Sequence, residues 1–137
     1  MTPEDYVSYP IALALKKAGF DWKCDHYYCA FDNETDVRFW SIHPAQSQNG
    51  LCTPQDKVVA DAPTLAQAQK WLRERAIEVD VNPMFSHGGR DGYDWDVYYD
   101  FTGYPVIRGV LPFAETYESA LSAGIAAALE LIEKKGE

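Results

Sequence analysis

Long apolar runs are missing: nothing in the chain approaches the roughly 18 consecutive apolar residues that a membrane-spanning helix needs. The opening MTPEDYVSYP carries acids where a secretory leader carries bases, and it has no apolar core. Cysteine is scarce and odd in number. Cys24, Cys29 and Cys52 are too few for the paired framework of a small secreted domain, so reduced thiols in a cytoplasmic protein are expected. Cations are also short, with 12 Lys and Arg against 21 Asp and Glu and a formal net charge of −9. Neither half of the chain escapes this, because residues 1–68 hold nine acids and five bases and residues 69–137 hold twelve and seven. A uniformly acidic chain repels phosphate backbones and anionic lipid, which argues against direct nucleic-acid or membrane binding.

What is present suits one core. The chain has 137 residues, 47% of them apolar, which fits a single domain over 1–137. Aromatics make up 14%, with Trp22, Trp40, Trp71 and Trp95 among them, so a few large side chains dominate the expected buried area.

Pro10 and Gly19 bracket a first helix within Tyr9–Ala18, with Ile11, Ala14, Leu15 and Ala18 on one stripe. Residues 25–31 and 37–42 read as strands joined by the polar loop 32–36, and Lys57–Ala60 as a further short strand within the punctuated segment 43–61. Thr64 and Gln67 form a capping box at the head of a second helix in which Leu65, Ala68, Leu72 and Ala76 recur. A last helix runs from Thr116 to Lys135, and the Ala and Gly on its stripe imply close approach to what it covers.

Between these helices Ile77–Asn82 alternates strictly up to Pro83, and Tyr93–Phe101 alternates after a glycine-rich loop. Register with the next strand follows from Arg108. A two-residue turn would set Arg108 among the apolar side chains opposite Val97. A three-residue turn, Phe101-Thr102-Gly103, pairs Val97 with Ile107, Tyr93 with Leu111 and Asp96 with Arg108, and is preferred. The expected fold is α+β: an antiparallel sheet of at least four strands, helices two and three on one face, and Trp95, Val97, Val79, Leu72, Leu121 and Ile125 in the core.

Strand, strand, helix occurs twice, and Ala62–Ala68 overlays Ala114–Ala120 at three of seven positions, a faint sign of duplication. The stretch APTLAQAQKWLRERAIEVDV, an aromatic-acidic strand and TYESALSAGIAAALELI together resemble small uncharacterised proteins of Bacteroidetes genomes and tailed phages. The likeness spans residues 9–20 and about 62–132, through Gly19-Phe20, Pro63 to Glu74 and Thr116 to Ile132. It implies a shared fold carried on mobile elements, and no catalytic or binding residue.

Candidate chemistry is sparse. Cys24, Cys29 and Cys52 with His26, His43 and His87 match none of the zinc-ligand spacings, so no metal and no cofactor is expected. Ser41, Ser86, His43 and His87 lack a nucleophile elbow, and residues 86–92 join strand to strand rather than strand to helix, unlike a phosphate cradle. Trp71 lies beside its helix's stripe, where it either completes the core, the favoured reading, or stands partly exposed as an interface anchor. Glu78, Asp80, Asp94, Asp96 and Asp100 all fall on the polar face of their strands. This face is either ordinary solvated surface, the favoured reading, or a site for a basic protein partner. Two functional classes remain: a non-enzymatic binding or accessory protein, which is favoured, and a small hydrolase or cation-dependent enzyme built on the acidic face. Convergence of Asp80, Asp94 and Asp96 in a concave pocket would separate them.

Overall fold

A computed structural model describes residues 3–31, 36–41, 57–86, 88–99, 104–109 and 112–135. A 3₁₀ turn at Pro3–Asp5 precedes helix α1, Tyr9–Lys17. Strands β1 (His26–Phe31), β2 (Asp36–Ser41) and β3 (Lys57–Asp61) lead to α2 (Leu65–Arg73). Strands β4 (Ile77–Ser86), β5 (Gly89–Tyr99) and β6 (Ile107–Arg108) lead to α3 (Tyr117–Lys135). The α+β class is as the sequence indicates. The described strands are divided between two antiparallel sheets of three, ordered β2-β1-β3 and β4-β5-β6, rather than gathered into one sheet of four or more. Each group of three strands is followed by a helix, yet β1 is central in one sheet and β5 in the other, so the two halves do not share a strand order.

Local chemistry explains the helix ends. Gly19 has φ +100, and bonds from Gly19 N to Lys16 O and from Phe20 N to Leu15 O close α1 as a Schellman motif. At α2 the capping box is complete: Gln67 N donates to Thr64 Oγ1 at 3.1 Å and Thr64 N donates to Gln67 Oε1 at 2.8 Å. Thr116 caps α3 by accepting from Ser119 N at 3.0 Å.

Both sheets feed one core. Val7, Ile11 and Leu15, Ala60 of β3, Leu65, Ala68, Trp71 and Leu72 of α2, Ile77, Val79 and Val97, and Leu121, Ile125, Ala128 and Leu129 of α3 form one buried cluster. Five of the six expected core residues are buried, and the sixth, Trp95, is half-buried against the cluster. Gly124 of α3 faces β4 so closely that a Cβ there would lie 2.5 Å from Val79 Cγ1, the close approach foreseen from its stripe.

Three local readings are corrected. Pro83 does not end its strand. Val79 turns its carbonyl away from β5 to accept from Gln69 Nε2 at 2.7 Å, so Pro83, two pleats on, points its missing N–H at the same outer edge, where no ladder bond is lost. The glycine-rich loop is mostly strand. Ser86 pairs with Gly89, and the ladder accommodates Asp91 as a bulge between Arg90 and Gly92. Finally, Asp96 pairs with Arg108 and Val97 with Ile107, as the three-residue turn requires, but Tyr93 exchanges hydrogen bonds with Ala114 instead of Leu111. The turn itself, and Leu111, lie outside the described residues.

The edge of β3 is met by α1. Val59 is the extra residue of a bulge against β1, and its carbonyl accepts from Lys16 Nζ at 2.8 Å.

Candidate functional site

Alternation over residues 77–81 of β4 and 95–99 of β5 sends odd-numbered side chains to the core and even-numbered ones to the opposite face. Ladder register then fixes neighbours on that face: Glu78 opposes Tyr98, Asp80 opposes Asp96, Asn82 opposes Asp94, and Asp96 on its other side opposes Arg108. Glu78, Asp80, Asp94 and Asp96 are thereby brought together on one sheet face. Asp100 lies outside the described residues.

Two guanidinium groups bracket the cluster. Arg73, in the last turn of α2, holds Glu78 with two donors, Nε to Oε2 at 2.9 Å and Nη2 to Oε1 at 3.4 Å. Arg108 stands 3.9 Å from Asp96 Oδ1 across the β5–β6 ladder. Sequence reasoning anticipated Arg108 and missed Arg73, whose approach depends on the tight turn that α2 makes into β4. The only advance sign was the opposite charge five residues apart. Asp94 packs against Gly109, where a Cβ would sit 2.6 Å from its Oδ1.

Between the two arginines, Asp80 faces Asp96 directly, and no described lysine or arginine forms an ion pair with Asp80. Burial is the main cause that raises its pKa, followed by the charges of Glu78 and Asp96, with Arg73 pulling the other way. A carboxyl raised in the fold binds its proton more tightly folded than unfolded. Its ionised form therefore opposes folding at neutral pH, and the opposition is relieved as pH falls through the raised value. Glu133 behaves oppositely. Its hydrogen bond from Lys17 lowers its pKa, so that contribution is present above the unfolded value and is lost as pH falls through the folded one. Asp80→Asn should stabilise the protein at neutral pH by up to about 1 kcal/mol, the scale of a like-charge cross-strand pair. The gain should shrink in acid, and thermal melts of both proteins from neutral to acidic pH measure it.

The acids do not form a metal nest: among the described residues no three His, Cys, Asp or Glu side chains come together as a metal ion would require. Asp80, Asp94 and Asp96 line none of four grooves on the described surface. The largest of these, 460 Å³, runs between α1 and α3. Trp71 is fully buried, 5.6 Å from the ring of Phe20 and covered by the Arg75 guanidinium at 3.6 Å. The structure thus places it in the core, and its ring offers no exposed area to an interface.

Cys29 is buried in β1, and the Cys24 Sγ donates to Trp22 O at 3.4 Å. Burial, then Asp61 and Asp25, push the Cys24 thiol up to about 12. At pH 8 it should be almost wholly protonated and slow to alkylate, compared with an exposed cysteine in the same iodoacetamide time course, as read by peptide mass spectrometry. Cys52, His43 and His87 lie outside the described residues.

The β4–β5 hairpin also projects an exposed aromatic side chain near its tip. Phe85 is 65% exposed, and Arg90 lies over the rings of Phe85 and Tyr93 while donating to the Tyr93 hydroxyl at 2.7 Å.

No protein family, curated protein or solved structure matches this chain in comparisons with known proteins. No described helix is long and apolar enough to cross a membrane.

Proposed function

We propose that this chain is a non-enzymatic binding protein that receives a basic protein partner on the face formed by Glu78, Asp80, Asp94 and Asp96. The observation that carries this reading is the direct opposition of Asp80 and Asp96 in the β4–β5 ladder, with burial and neighbouring carboxylates holding up the pKa of Asp80. Lysine or arginine side chains from a partner would relieve that repulsion, so association and electrostatic relief act together. The alternative, a small hydrolase or cation-dependent enzyme, needs carboxylates converging in a cleft, whereas these lie along a sheet face.

Cytoplasmic location belongs to the same proposal and rests on the odd number of cysteines and on the free thiol of Cys24. Mobile-element origin rests on the sequence resemblance over residues 9–20 and 62–132.

Titration of the protein with a lysine-rich peptide at increasing salt tests the binding reading. Affinity should fall steadily with ionic strength, and the Asp80→Asn/Asp96→Asn double variant should bind about tenfold more weakly, a loss of about 1.4 kcal/mol. Equal affinity for both proteins, or indifference to salt, would remove the proposal.

A further inference from the structure

We draw no further inference here: the strongest candidate, the apolar groove between α1 and α3 lined by Leu13, Ala14, Ala18, Leu129 and Ile132 and spanned by the Lys17–Glu133 ion pair, is an unpartnered face and nothing in the structure shows what covers it.

Discussion

Trp71→Ala is expected to remove about 3–5 kcal/mol of folding stability, the range for emptying a large aromatic site. The ring has no exposed area and sits where α2 meets Phe20, within the cluster that also includes Leu72, Ile77 and Val79. Arg75, one turn on, would lose the ring face it covers at 3.6 Å. Trp71 Nε1 is buried without a hydrogen-bond partner among the described residues. Trp71→Phe therefore gives up volume but also removes an unsatisfied N–H, whose burial costs about 1–3 kcal/mol, and should lose far less than the alanine variant. Urea denaturation of the three proteins separates these contributions. An alanine loss below about 1 kcal/mol would mean that the ring does not fill the core.

The second large effect is expected at Gly124. Glycine within a helix is ordinarily a weakness, and replacing it with alanine should improve helix propensity by about 1 kcal/mol. Here the added methyl would lie 2.5 Å from Val79 Cγ1, with Trp95 atoms 3.5 and 3.6 Å away. Val79 is β-branched and fully buried in β4, so its side chain has little room to rotate aside. Overpacking of about 1–3 kcal/mol should outweigh the propensity gain for Gly124→Ala, and Gly124→Leu should be worse. Val79→Ala removes the opposing methyl groups, so the pair Gly124→Ala/Val79→Ala should lose less than the sum of its parts by about 1 kcal/mol. Strict additivity in that cycle would contradict the close packing of α3 on β4.

These two positions show what was legible in the sequence. The small residues of α3 lie on its apolar stripe, and periodicity alone foretold both the stripe and its close approach. The capping box at Thr64 and Gln67 and the stop at Gly19 were equally legible, because each is satisfied by atoms within a few residues. Register across β5 and β6 was legible for a different reason: an arginine at position 108 tolerates only one of two turn lengths.

Partition of the six described strands into two sheets was not legible. Alternation tells which face of a strand is buried and is silent on its neighbour, and strands in two sheets can present the same apolar faces to one shared core. Pro83 misled because its lost donor matters only on a paired edge, and which edge is paired is a tertiary fact. Tyr93 meets Ala114 rather than Leu111 because the ladder from Asp96 to Arg108 is not continued evenly to the end of the strand.

Strand alternation aligns five carboxylates on the acidic face, and the ladder places four of them together. The fifth, Asp100, is outside the described residues. What strand alternation could not supply was Arg73, delivered by a helix end, or the distinct position of Asp80. Glu78 and Asp96 each have a guanidinium beside them, while Asp80 lies between them and faces a carboxylate.

The most direct measurement of the central claim is an NMR titration of isotopically labelled protein with a lysine-rich peptide at low salt, following backbone amides and carboxyl carbons. Binding on the acidic face predicts that the largest shifts cluster at Glu78, Asp80, Asp94 and Asp96, with the Asp80 carboxyl titrating at lower pH in the complex than in the free protein and the pattern fading as salt is added. Shifts centred on the Phe85–Arg90 tip or the α1–α3 groove, with Asp80 and Asp96 unmoved, would contradict it.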